Sequence, residues 1–118
     1  VFGGVALIFV TGPLFAGKRE YIRNALGLAP QAFDAAAVWD VQCLAETAGD
    51  LEALADRLAQ KEIVIATEVG GGVVPVDPAE RAAREAAGRL ACLLAARADT
   101  VVRVCCGLPQ LLKGEWPC

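Results

Sequence analysis

The chain has 118 residues, 56% of them hydrophobic and 21% charged, with a net charge of -3 at neutral pH. That length supports a single domain, residues 1–118, around one core, and the composition excludes a disordered chain. Charge is spread without a basic stripe, which excludes the electrostatic footprint of a nucleic-acid or anionic-membrane partner, so any anionic ligand must be held locally.

Val1 to Val10 is the longest apolar run, about half of the roughly 20 residues that a membrane span needs, and nothing basic occurs before Lys18. Its core, VALIFV at Val5 to Val10, is expected to be a strand buried on both faces of a parallel sheet. Thr11, Gly12 and Pro13 end it. Ile22, Ala25 and Leu26 then fall at helical spacing between Lys18 and Leu26, with Gly27 as the stop. Ala35 to Val41 is expected as a second strand. Asp50 caps a predicted helix from Leu51 to about Gln60, whose stripe is Leu51, Leu54, Ala55 and Leu58. Ile63 to Thr67 reads as a short buried strand running into Glu68, Val69 and the glycines Gly70 to Gly72.

Asp77, Pro78 and Glu80 have the spacing of a capping box with proline in its favoured slot, which starts a long helix. Its buried stripe is Ala83, Ala86, Ala87, Leu90 and Leu94. Arg81, Arg84, Glu85 and Arg89 form the solvated face, and Gly88 is expected to permit close packing. Thr100 to Cys106 is the last predicted strand, with Arg103 suggesting an edge or interface. The tail from Gly107 to Cys118, with Pro109, Gly114 and Pro117, is expected to be irregular.

Strand and helix alternate, which implies parallel strands joined by crossovers: an α/β fold with an open, mostly parallel sheet and helices on both faces. Ligands of such sheets lie at the carboxyl ends of the strands, where Gly12 to Gly17 and Gly70 to Gly72 fall.

The five cysteines, Cys43, Cys92, Cys105, Cys106 and Cys118, include no C-x-x-C pair and signal neither a disulfide framework nor a zinc site, consistent with a reducing cytoplasm. Cys105 and Cys106 are expected on opposite faces of a strand, and Cys118 at an exposed terminus. The sequence has no histidine. Imidazole is therefore unavailable as base, nucleophile or metal ligand, and chemistry must run on carboxylates, Lys and Arg.

Gly12, Pro13, Leu14, Phe15, Ala16, Gly17 and Lys18 fit G-x-x-x-x-G-K, the phosphate-binding P-loop, and Arg19 stands where a Ser or Thr would complete it. In such loops backbone N–H groups cradle phosphate oxygens and the lysine reaches the terminal phosphates, while the next helix adds its positive end. The alternative is an ordinary glycine turn with Lys18 in solvent. The missing hydroxyl is the usual Mg²⁺ ligand, and guanidinium cannot ligate a metal. Either another group holds the ion, or Arg19 itself neutralises phosphate charge, or phosphate transfer is impaired. Glu68 and Asp40, near predicted strand ends, are the candidate carboxylates for orienting a hydroxyl or a metal-bound water.

Two segments resemble the adenosylcobinamide kinase / adenosylcobinamide-phosphate guanylyltransferase family of cobalamin synthesis. One is ALIFVTGPLFAGKR. The other, more specific, is IVIATEVGGGVVPVDPAERAAREAAGRLACLLAARADTVVRVCCGLPQLLKG, with the family's Glu-Val-Gly-x-Gly-x-Val-Pro loop, long helix and final strand. The resemblance implies a RecA-like P-loop NTPase sheet, a homo-oligomer of trimer type, and two activities. These are phosphorylation of the aminopropanol hydroxyl of adenosylcobinamide by ATP or GTP, and GMP transfer through a guanylyl-histidine. Gly12, Gly17 and Lys18 carry over as the nucleotide loop, and Glu68, Val69 and Gly70 as the Glu-Val-Gly segment, with Lys18 and Glu68 in the catalytic roles. The guanylated histidine has no counterpart here, and the segment between Leu28 and Glu62 is shorter than in the family. The expectation is an ATP- or GTP-binding protein of cobinamide-kinase type, with a non-catalytic nucleotide-binding or oligomeric module as the alternative.

Overall fold

A computed structural model of the protein describes residues 7–69 and 77–117. The Gly70 to Gly72 loop, the first residues of the Val5 to Val10 run and Cys118 lie outside the described residues. The elements are β1 (Ile8–Gly12), α1 (Lys18–Leu26), α2 (Pro30–Ala36), β2 (Ala37–Val38), α3 (Gln42–Ala45), α4 (Leu51–Leu58), β3 (Ile63–Thr67), α5 (Pro78–Arg97), β4 (Thr100–Cys105) and β5 (Leu108–Lys113).

The strands form one sheet in the order β2-β3-β1-β4-β5. All pairs are parallel except β4 with β5. This is the mostly parallel α/β sheet that the alternation of elements implies. Because successive strand residues face opposite sides, the register sorts the core into two rows. Phe9 lies beside Val64 and Val101, and this row packs under α3, α4 and α5 through Ala45, Leu54, Leu58, Leu90 and Leu94. Val10 lies beside Ile65 and Val102, and this row packs under α1 and α2 through Ile22 and Phe33. Burial on both faces is why these strands read as continuous apolar runs rather than alternating ones.

The caps behave as their side chains dictate. The Asp50 carboxylate accepts from the Ala53 N–H at 3.1 Å and that of Asp77 from Ala79 at 3.1 Å, satisfying donors that an α-helix leaves open at its first turn. Gly27 takes φ 65° and closes α1 with N–H bonds from Gly27 and Leu28 to Asn24 and Arg23 carbonyls.

Several expectations are corrected. The predicted strand Ala35 to Val41 is mostly something else: Pro30 opens a helix that absorbs Ala35 and Ala36, and only Ala37–Val38 pairs with β3. Proline at the first helical position and a run of alanines favour helix over strand. The tail is not irregular, since Leu108–Lys113 adds an antiparallel edge strand to β4. Pro109 is tolerated there because an edge strand leaves one side unpaired. Cys106 belongs to the β4–β5 turn, with φ 54° and an exposed side chain, and Cys105 is half-buried, so the pair is not a strand pair with two buried thiols. Gly88 is exposed, and among the described residues a Cβ there would meet no neighbouring atom within 4 Å, so it mediates no close packing between them. Arg103 sits in a strand flanked on both sides, near the carboxyl end of the sheet, rather than at an edge.

Candidate functional site

The end of β1 dictates the start of the site. Gly12 has φ 154°, and a Cβ there would collide with the Val104 carbonyl of β4, so only glycine lets the chain turn out of the sheet at this point. The loop that follows is tight: the Ala16 N–H donates to the Pro13 carbonyl at 3.3 Å. Phe15 takes the left-handed conformation, φ 59°, with its ring 93% exposed. A bulky residue held there costs about 1–3 kcal/mol, and such outliers gather where the backbone is shaped for a ligand. Gly17, at φ 87°, is the N-cap of α1. The turn between β4 and β5 buttresses the loop, with the Gly107 N–H donating to the Ala16 carbonyl at 2.8 Å.

Lys18 is the first residue of α1 and is 8% exposed. Its Nζ donates to the Pro13 carbonyl at 2.7 Å, folding the ammonium back over the loop. An ammonium has three donors, so this bond leaves two for a ligand. Burial pushes the Lys18 pKa down, and the Arg19 charge adds to that; the carboxylates of Asp40 and Glu68 pull it back up. The site thus holds a desolvated cation whose charge is only partly compensated, a setting that favours an incoming anion.

Around this loop lies an open cleft of about 520 Å³, lined by residues 14–20, Trp39, Asp40, Ile65 and Thr67. The first N–H groups of α1, which have no partner within the helix, belong to its wall. Arg19 is exposed and lies over the Trp39 ring at 5.2 Å, and Trp39 stacks on the buried Phe33 at 5.8 Å. Asp40, at φ 56°, ends the short β2 segment beside the cleft.

Glu68 follows β3, its N–H donating to the Gly12 carbonyl at 2.8 Å, which fixes it across the sheet end from the loop. The Arg103 guanidinium donates to both of its carboxylate oxygens, at 2.6 and 2.9 Å. Those bonds hold the Glu68 carboxyl below its ordinary range and raise Arg103 above its own. The Gln42 side chain accepts from the Thr67 N–H at 2.9 Å and so anchors the end of β3 just ahead of Glu68.

The structure therefore brings Gly12, Pro13, Leu14, Phe15, Ala16, Gly17, Lys18 and Arg19 into one loop and helix start, with Asp40 lining the same cleft and Glu68 near enough for its charge to act on Lys18. Arg81 and Arg89 lie exposed on α5, as a solvated face predicts, and Arg84 bonds Glu80 one turn earlier at 3.5 Å. Trp39, Gln42 and the partnership of Glu68 with Arg103 were not apparent from sequence patterns. The one signal was a lone arginine in a valine-rich strand. Among the described residues no group of three or more Asp, Glu or Cys side chains could hold a metal ion, and no helix is long and apolar enough to cross a membrane.

No curated protein matches the chain. The family model of the cobinamide kinase / cobinamide phosphate guanyltransferases matches residues 22–112, from within α1 to within β5. The loop at Gly12 to Arg19 precedes the matched segment and rests on its own residues and geometry. With well over half of its length matched, on a mostly parallel α/β sheet, the chain belongs to the cobinamide kinase / cobinamide phosphate guanyltransferase family.

Proposed function

We propose that the chain binds a nucleoside triphosphate, ATP or GTP, with its phosphates on Gly12 to Arg19, and transfers phosphate to a cobinamide-type alcohol. The observation that carries this reading is Lys18, buried at the start of α1 with its ammonium turned onto the Pro13 carbonyl of the same loop. An ordinary glycine turn would leave that lysine in solvent. A phosphate entering the cleft would take up the ammonium's remaining donors and the open N–H groups of α1. Lys18 would then stabilise charge that develops on the transferred group.

Glu68 would act on the acceptor. Its lowered pKa makes it a weak proton acceptor at neutral pH, so its role would be to accept a hydrogen bond from the alcohol and orient it. Guanylyl transfer through a histidine has no residue to run on in this sequence.

A second reading is a nucleotide-binding module without catalysis. It is favoured by one contact: both oxygens of Glu68 are already taken by Arg103. Calorimetric titration of ATP and GTP into wild type and Lys18→Ala, followed by an assay of phosphate transfer to adenosylcobinamide, tests both. Wild type is expected to bind, and Lys18→Ala to bind about tenfold or more weakly, the loss of a charge-assisted contact. Equal, poor binding by the two proteins would remove the phosphate-loop reading. Tight binding with no transfer would select the module.

A further inference from the structure

In loops of this kind a divalent cation bridging the β- and γ-phosphates is held by the hydroxyl that follows the lysine. The residues present do not fit that ion. Position 19 carries a guanidinium, which repels a cation and offers no lone pair. Glu68, the acid at the end of β3, is paired through both oxygens with the Arg103 guanidinium, whose positive charge opposes a cation there. Among the described residues Asp40 and Glu20 are the other carboxylates lining the cleft, both beside the Arg19 charge, and no group of three acids gathers there to hold a metal ion.

Arg19 is placed as a fixed anion donor. Its guanidinium lies over the face of Trp39 at 5.2 Å, and Trp39 rests in turn on the buried Phe33, so the arginine stands on a packed column rather than swinging in solvent. Stacking uses the guanidinium's π face and leaves its edge N–H groups available, the geometry in which arginine grips phosphate oxygens. Among the described residues Arg19 makes no hydrogen bond or ion pair that would compete. It neighbours Lys18 closely enough for its charge to act on the lysine.

We propose that the cleft takes the triphosphate of its nucleotide without a divalent cation, Arg19 supplying from the Trp39 face the charge that Mg²⁺ supplies elsewhere. The inference rests on the phosphate-loop reading above, and its test separates the two. ATP is titrated by calorimetry into wild type, Lys18→Ala, Arg19→Ser and Arg19→Lys, each in EDTA and again in excess Mg²⁺. Arg19 is exposed, so its substitutions leave the core intact, which circular dichroism checks.

Wild type is expected to bind ATP at least as tightly in EDTA as in Mg²⁺. Arg19→Ser is expected to lose about tenfold or more in EDTA and to recover part of that with Mg²⁺, its new hydroxyl offering the missing ligand. Arg19→Lys, which keeps the charge but not the planar fork, is expected to fall between them. Wild-type binding that is tenfold stronger with Mg²⁺ would overturn the metal-free inference and leave nucleotide binding standing. Arg19→Ser binding as tightly as wild type in EDTA would overturn the role of Arg19. Failure of wild type to bind under either condition would overturn both.

Discussion

Glu68 receives two short hydrogen bonds from Arg103 that favour its ionised form, so the carboxyl end of the sheet is sensitive to acid. Its folded pKa lies below the ordinary 4.5, and the stabilisation this gives is fully present above that ordinary value. It is lost as pH falls through the lower, folded pKa. Glu68→Gln removes that linkage. The melting temperature of the variant is expected to lie slightly below wild type at neutral pH, the effect being small because the pair is partly solvated. The gap should close as pH is lowered from about 4.5. A gap that stays constant across that window would mean the two oxygens contribute through packing rather than charge. At this scale the loop was legible in sequence because its residues are contiguous. The Glu68–Arg103 pair, 35 residues apart, and the Gln42–Thr67 bond, 25 apart, were not, because only strand pairing, of β3 and β4 across β1 for the first and of β2 with β3 for the second, brings such partners together.

Among the elements, α5 was readable from end to end because its information is local. Asp77 caps, Pro78 fills the first position, and Ala87, Leu90 and Leu94 recur on the buried side. Its C-terminal end is held by a feature no local pattern shows: Lys113, from β5, donates to the carbonyls of Ala95 and Ala96 at 3.0 and 3.1 Å. A cation there also suits the negative end of the helix. β5 itself escaped prediction because Pro109 and the flanking Gly107 and Gly114 look like loop residues, while its single partner strand supplies all its pairing. Gly88 is the weak point of α5, mid-helix, exposed, and among the described residues without a neighbour that needs the missing Cβ. Gly88→Ala is expected to stabilise the protein by about 1 kcal/mol, through helix propensity and a less flexible unfolded chain. Asp77→Ala is expected to cost about 1 kcal/mol by opening the first turn. Urea midpoints for both variants read these shifts, and a destabilising Gly88→Ala would show that something packs against that face.

At the scale of the whole molecule the sheet separates two cores that share no helices, the Phe9 row under α3, α4 and α5 and the Val10 row under α1 and α2. What joins them is the backbone of β1, β3 and β4, whose alternate residues belong to opposite sides. Damage to one core must therefore reach the other through strands that neither core can hold alone, and the chain should unfold as one unit. Leu94, fully buried in the α5 core, and Trp39, packed against the opposite one, make this measurable. Leu94→Ala removes three carbons from a fully buried position and is expected to cost about 2–5 kcal/mol. In a Trp116→Phe background Trp39 is the sole indole, since the sequence holds two tryptophans. Its fluorescence then reports only on the far side of the sheet. Leu94→Ala is expected to move the urea midpoint read by Trp39 fluorescence as far as that read by far-ultraviolet circular dichroism. If the fluorescence transition stayed in place while the dichroism midpoint fell, the two faces would be separately folding units, and the loop from Gly12 to Gly17, which leaves β1 and leads into α1, would depend on one of them only.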